Sequence, residues 1–331
     1  MRALVTGASG FIGGHVVEAL VREGHEVRAL VRPTSDTSHL ASTGATMVVG
    51  DITNRASLDD ACRGIDWVFH TAAIVGSRGS WSEYYRVGVH GTANVLNAAS
   101  QASVKRVIHL SSVAVYGARS RPEAVTEEMP FDRRPQRWNH YVREKVLSER
   151  LVWRAHERGR VVATTIRPSV VLGPRDRAVV PRLMRVAGTP LAAMVGRGTN
   201  HIAVVVVEEL AAAIVAAAGI EGAAGRAYNL SSSTRFTQEE LLQLFSATSG
   251  KPLPTRHVPM TLGIVGAGAM ELAYLLARRP SEPPLDRIGV TVLGTESNVD
   301  VARARAELGW EGSADVKAAV RRSVDSYLGA V

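Results

Sequence analysis

Tyr141 and Lys145 stand four residues apart in a segment of helical pattern, so both side chains leave the same helix face about one turn apart. An ammonium beside a phenol stabilises the phenolate and brings the hydroxyl from a pKa of about 10 toward the range where it can trade protons with a substrate. Leu110-Ser111-Ser112 closes an apolar strand-like run, which puts a third group, a serine hydroxyl, on the same edge. A phenol, an ammonium and an alcohol together can protonate or deprotonate an oxygen on a neighbouring molecule. The alternative reading of each is ordinary: an exposed helix pair and a turn serine.

Such groups need a scaffold, and the first thirteen residues supply one. Ala3, Leu4 and Val5 form a buried-strand run that breaks at Gly7, Gly10 and Gly13 and continues as an amphipathic helix through Phe11 and Ile12. Gly7 permits a tight turn, Gly10 lets backbone N–H groups approach a pyrophosphate, and Gly13 allows close packing of helix on sheet. Phosphates sit well at a helix N-terminus, where unpaired N–H groups and the helix dipole favour negative charge. The pattern predicts a dinucleotide site.

Apolar runs then alternate with helical patterns. Strands are predicted at 3–6, 26–31, 46–49, 67–70, 106–111 and 162–167, and helices near 12–23, 55–62, 84–102 and 139–156. This is an α/β chain with a Rossmann doubly wound parallel sheet, whose strand C-termini share the ligand edge. The dinucleotide-binding domain is expected over 1–172, with 201–230 returning to its sheet through a strand at 202–207, a helix at 208–218 and a strand at 227–230. Residues 173–200 and 231–331 should form a smaller, mostly helical C-terminal substrate lobe, ending in helices near 299–308 and 315–327. The 119–139 stretch is expected to be a mobile loop before the catalytic edge. Segment 262–277 is apolar apart from Glu271 and rich in small residues. We read it as a core helix or pocket wall, with an interfacial membrane helix as the alternative.

Composition removes several classes. The net charge is +8, yet only Lys105, Lys145, Lys251 and Lys317 are lysines among 39 basic residues, and arginine is scattered without a basic run or aromatic interleaving. Nucleic acid is not the expected partner. A single cysteine, Cys62, excludes an intrachain disulfide and lies in no metal-ligand cluster. The opening strand starts at once, without a secretory signal pattern, so a cytoplasmic location is expected, with no transmembrane segment.

Several segments together resemble the extended short-chain dehydrogenases/reductases, the NAD-dependent epimerase/dehydratase family, nearest its 3β-hydroxysteroid dehydrogenase and dihydroflavonol reductase-like branch. They are 6–13 (TGASGFIG), Gly50-Asp51-Ile52, His70-Thr71-Ala72-Ala73, 111–117 (SSVAVYG), Tyr141 to Lys145 and 166–174 (IRPSVVLGP). The resemblance spans essentially the whole chain. It implies that Tyr141 exchanges the proton, that Lys145 lowers its pKa and bonds the nicotinamide ribose, and that Ser112, five residues before Gly117, holds the substrate oxygen. Ser111 is left to bond backbone or cofactor. Asp51 should accept from the adenine amino group, or cap the following helix; Ile52 should flank the ring. Thr71, Ala72 and Ala73 should run along the cofactor, and Pro168, Val170 and Val171 should line the nicotinamide.

Two positions depart from the family pattern. Gly88 stands where an asparagine is frequent, and cannot supply its amide. At the end of the second strand, where a carboxylate would bond the ribose hydroxyls, stand Val31 and Arg32. A guanidinium there favours NADP(H) over NAD(H), unless Arg32 merely stacks on adenine and admits both. Arg28, Thr34 and Ser35 are weaker contributors. Val113 and Ala114 replace the acidic pair that follows the catalytic hydroxyl in the family's dehydratases, which argues against dehydration. With an apolar C-terminal lobe, the leading expectation is an NADPH-dependent ketoreductase or hydroxy-dehydrogenase for a hydrophobic or polycyclic ketone, of steroid, polyketide or ketoacyl type. A nucleotide-sugar epimerase is the alternative, with Arg175, Arg177 and Arg182 as a diphosphate clamp or a solvated loop. A non-catalytic NADP-sensing protein would not need Ser112, Tyr141 and Lys145 together. By analogy with the family, a homodimer could form through the 84–102 and 139–156 helices.

Overall fold

The computed structural model describes residues 1–77, 79–117, 123–279, 281–312 and 314–329. Strands β1 (Arg2–Thr6), β2 (Glu26–Val31), β3 (Thr46–Val49), β4 (Trp67–His70), β5 (Arg106–Leu110) and β6 (Ala163–Pro168) join the strand Ala227–Leu230 in one seven-stranded sheet. Its order is Ala227–Leu230, β6, β5, β4, β1, β2, β3, and every pairing is parallel. The chain reverses its direction of winding between β1 and β4. Ligands of such sheets bind in the crevice beyond the strand C-termini at that point.

Both faces are covered, as an all-parallel sheet requires. Side chains alternate along β1: Ala3 and Val5 enter the core beneath helix α1 (Phe11–Arg22) and the helix Val207–Gly219, and Leu4 enters the other. That second core lies beneath α2 (Arg55–Cys62), α4 (Gly91–Gln101) and α5 (His140–Glu157). Before α4 comes a short helix, α3 (Trp81–Tyr84), started by a Ser80–Glu83 capping box, and a π turn over Tyr85–His90. The helix expected from residue 84 therefore begins three residues earlier and is widened in its middle.

The strand expected at 202–207 is split. His201–Ile202 pairs antiparallel with Phe236–Thr237, and Val204–Val206 pairs with Val170–Leu172 rather than with the main sheet. The reason is that Ala227–Leu230 already holds the free edge of β6. A separate apolar cluster there joins Leu172, Val204 and Val206 to Phe245 and Val320 of the C-terminal helices Gln238–Ser249 and Val316–Leu328.

Two expectations about mobility and burial change. Of the 119–139 loop, 119–122 lie outside the described residues, but the remainder is pinned: Val125 N donates to Asn298 O at 2.8 Å and Asn229 N donates to Glu127 Oε1 at 2.8 Å. The apolar 262–277 segment forms the helix Met260–Leu276, in which only Gly263 and Ala267 are buried. It is not a core helix in this structure, because its contacts with the neighbouring Arg287–Gly294 helix cover one narrow, small-residue face. Among the described residues no helix is long and apolar enough to cross a membrane.

Candidate active site

The glycine turn is a cradle that any side chain would fill. Gly7 has φ +74° and a Cβ there would lie 2.7 Å from Ala72 N; one on Gly13 would lie 2.1 Å from Gly7 O. Gly10 caps α1 without a side-chain hydrogen bond, so the first N–H groups of the helix, from Phe11 onward, have no intrahelical acceptors. Thr71 Oγ1 donates to Thr6 O at 2.8 Å, which ties the end of β4 to β1 and carries Ala72 and Ala73 past the turn. These residues fit a dinucleotide pyrophosphate. The ring of His39, which the sequence offered no motif to find, also lies here: its Nε2 is 2.8 Å from the place of a Gly14 Cβ and has no hydrogen-bond partner among the described residues.

At the end of β2, Val31 is buried and Arg32 is exposed, its guanidinium without a hydrogen bond or ion pair among the described residues. Arg28 is not available to a phosphate, since Nη1 donates to Ala61 O at 3.1 Å and Arg63 O at 2.8 Å. Asp51 Oδ1 accepts from both Thr53 N and Thr53 Oγ1 at 2.8 Å, the local turn-capping role. The Ile52 side chain does not face outward to flank a ring. It is 6% exposed and packs on Gly91, where a Cβ would come within 2.6 Å of its Cδ1.

Asn139 accepts from Val142 N at 3.1 Å and so starts α5 two residues before Tyr141. Lys145 is buried, its Nζ 5.9 Å from the Tyr141 ring centroid, and donates to Leu110 O at 3.1 Å. That bond locks α5 to the end of β5. Ser112 begins the turn that follows β5, its Oγ accepting from Ala114 N at 3.2 Å.

Ser111, expected at the cofactor or backbone, instead turns its hydroxyl inward. Ser111 Oγ donates to Glu149 Oε2 at 2.5 Å; Glu149 also takes Arg167 Nη2 at 2.5 Å and Trp153 Nε1 at 3.0 Å. Arg167 Nη1 donates to Tyr116 OH at 2.5 Å, and Tyr116 OH donates to Asn229 Oδ1 at 2.9 Å. Burial pulls the Arg167 guanidinium's pKa down, but the Glu149 charge and the hydrogen bonds raise it by more, so the guanidinium stays charged. This chain links β5, α5, β6 and Ala227–Leu230 beneath the candidate site. Pro168 ends β6, and Val170 and Val171, half-buried, open the short strand after it.

Between the two sites lie His70 and His109. His70 is held between Thr6 Oγ1 at 2.8 Å and Thr92 Oγ1 at 2.9 Å. Burial, reinforced by the nearby Lys145 charge, pushes it down to about 3.

A family model described as the NAD dependent epimerase/dehydratase family matches residues 3–231. The chain belongs to this family. It is an NAD(P)-dependent oxidoreductase of the extended short-chain dehydrogenase/reductase type. The chain is 31% identical, over 94% of its length and 92% of the relative's, to a 4-hydroxy-2-methyl-3-oxo-4-farnesyl-3,4-dihydroquinoline-1-oxide ketoreductase of Stigmatella aurantiaca. It is 27% identical to a 2-alkyl-3-oxoalkanoate reductase of Shewanella oneidensis, covering 97% of this chain and 84% of that one. Its fold matches a Thermus thermophilus UDP-glucose 4-epimerase in complex with NAD, with TM-score 0.76 over all of both chains at 23% identity.

Within this family member the arginines considered as a diphosphate clamp are largely engaged. Arg175 makes a two-point pair with Glu18, 2.5 and 2.9 Å, on α1. Burial raises the Glu18 carboxyl, and the hydrogen bonds from His15 and Arg175 outweigh it, bringing it to about 2. Arg182 pairs with Glu282 at 2.8 Å and Asp286 at 3.0 Å. Only Arg177 is mostly exposed, 3.9 Å from Asp36.

Proposed function

We propose that the protein is an NADPH-dependent ketoreductase, running in reverse as a hydroxy-dehydrogenase, that acts on a hydrophobic or polycyclic ketone. The observation that carries this reading is Lys145: buried, fixed to Leu110 O and 5.9 Å from the Tyr141 ring, it is built to stabilise a phenolate. A nicotinamide dinucleotide, when bound, supplies the hydride. Gly7, Gly10, Gly13 and the N–H groups of Phe11 and Ile12 would hold its pyrophosphate, and Arg32 would pair with a 2′-phosphate.

Ser112 then donates its O–H to the substrate carbonyl oxygen and fixes its position, while its Oγ goes on accepting from Ala114 N. Tyr141 gives its proton to the same oxygen as negative charge develops there. Lys145 stabilises the phenolate that remains, and the reverse steps oxidise the alcohol. The ketone class is supported by the names of the two reductase relatives. The pairing of Arg175 and Arg182 with carboxylates supports it against a diphosphate-bearing sugar.

The test is NADPH oxidation against a panel of 3-oxosteroids, 2-alkyl-3-oxoacids and polycyclic ketones, with UDP-sugars as the competing class. Turnover of a ketone and a loss of about 10²- to 10⁴-fold in kcat for Tyr141→Phe are expected. Unchanged turnover by Tyr141→Phe, or interconversion of UDP-sugars with no ketone reduced, overturns the reading.

A further inference from the structure

Gly88 and Glu144 complement one another. A Cβ at position 88 would lie 2.1 Å from Glu144 Cγ and 2.3 Å from its Cδ and Oε1. Glu144 therefore occupies the hollow that the glycine leaves in the π turn, one residue before Lys145. It is 1% exposed, and its Oε2 is buried without a hydrogen-bond partner among the described residues. An under-bonded buried carboxyl costs free energy that a leucine or methionine of similar volume would not. Packing alone does not account for it.

The groups facing Glu144 are few. Its own helix presents Lys145 and the Ser148 hydroxyl; the helix opposite presents Tyr84, which Tyr141 also faces and whose O–H donates to Gly76 O at 2.6 Å. Farther out, Glu282 and Arg182 lie near Tyr84 and pair with one another. Behind Lys145, β4 and β5 present His70 and His109, both kept neutral by burial. Lys145 is the cation whose charge reaches Glu144.

We propose that Glu144 is a positioning residue: from the hollow opposite Gly88, one residue before Lys145 and closed to solvent with it, its carboxyl group acts through space on the ammonium that faces Tyr141, and so sets how readily Tyr141 gives up and regains its proton. The inference rests on Tyr141 being the acid–base group. No proton passes from Glu144 to substrate. When ionised, Glu144 offsets part of the Lys145 charge and makes the phenolate harder to form; when protonated, it leaves the ammonium to Tyr141. Burial pushes the Glu144 carboxyl above its ordinary range, against the opposing pull of Lys145 and Ser148.

The experiment follows the ultraviolet absorbance of the Tyr141 phenolate with pH, as the difference between the full-length protein and its Tyr141→Phe variant, with and without Glu144→Gln. The kcat and KM for ketone reduction are measured across the same range. Glutamine keeps the volume and removes the ionisation. The Tyr141 midpoint is expected to fall by about one pH unit, a tenfold change in proton concentration, with the kcat profile following and KM moving less than about twofold. Gly88→Ala separates packing from charge: alone it lowers Tm, and combined with Glu144→Ala it regains Tm while keeping the lowered Tyr141 midpoint. If Glu144→Gln does not fold, that double variant carries the same expectation. A Tyr141 midpoint identical with and without the carboxyl overturns the inference and leaves Tyr141 as the acid. A Tyr141→Phe variant with full turnover overturns both.

Discussion

Beneath Tyr141 the polar side chains are tied to one another in an unbroken chain from Ser111 through Glu149, Arg167 and Tyr116 to Asn229, all but closed to solvent. The helix Met260–Leu276 is the opposite case: Leu262, Val265, Leu272, Leu275 and Leu276 are 62, 69, 55, 73 and 74% exposed. One region spends buried charge to hold a few atoms in place. The other leaves apolar surface in water and is held by Gly263 and Ala267 against Val290 and by the Arg287–Glu271 pair. The contrast sets a region of fixed side-chain geometry beside a helix with little cover.

The sharpest way to break that comparison is at Arg167. Removing one partner of a buried ion pair leaves an uncompensated charge, so Arg167→Leu should cost about 3–5 kcal/mol in denaturant unfolding and remove activity with it. Replacing Arg167 and Glu149 together by leucine and methionine should cost clearly less. Equal losses for the single and double variants would mean that the network contributes shape rather than charge.

Acid should act on the same region. The folded-state pKa of His70 is pushed from 6.5 down to about 3, and that of His109 also falls well below 6.5, burial being the main cause of both. The unfolded chain therefore binds more protons between these values, so this contribution to stability is present above about pH 6.5 and is lost as pH falls toward 3. Glu144 has the reverse sign: its raised pKa favours the folded state below the ordinary carboxylate range, and that gain disappears as pH rises through the folded value. Urea unfolding of the wild type should show declining stability below pH 6.5, and Glu144→Gln should gain stability over the wild type at neutral pH but not in acid.

Arg32 gives a smaller effect and a cleaner one. It is exposed, so the pair it would make with a 2′-phosphate is screened by salt. Arg32→Ala should weaken NADPH binding by about tenfold and leave NADH binding unchanged, with the gap narrowing at high ionic strength. Equal weakening of both cofactors would assign Arg32 to adenine stacking instead.

What could be read from the sequence divides along the same line. The glycine turn and the Tyr141–Lys145 pair were legible because their geometry is local: a turn needing positive φ at Gly7, and two side chains one helical turn apart. The inward turn of Ser111, the pinning of the 123–139 loop and the widened turn at Tyr85–His90 were not. The first two depend on residues distant in sequence, Glu149 for one and Asn298 with Asn229 for the other, and no periodicity marks a π turn. Gly88 could be seen as a departure from the family pattern, yet only the fold shows that Glu144 fills its place.

The 260–276 helix misled for a different reason. It is apolar all round, and a helix of that composition is normally buried; periodicity cannot say whether the chain has enough neighbours to cover it. Polar substitution there is the gentlest probe of the comparison. Leu272→Ser and Leu276→Ser remove side chains that are 55 and 74% exposed, so each should change unfolding free energy by no more than about 0.5 kcal/mol. Solubility should rise, since the apolar surface shrinks. If either substitution instead costs as much as a core truncation, about 2–5 kcal/mol, the helix is covered in solution and the region is no looser than the site it borders. If stability is unchanged while KM for a hydrophobic ketone rises, this face takes part in substrate capture, and the looseness of the lobe belongs to function.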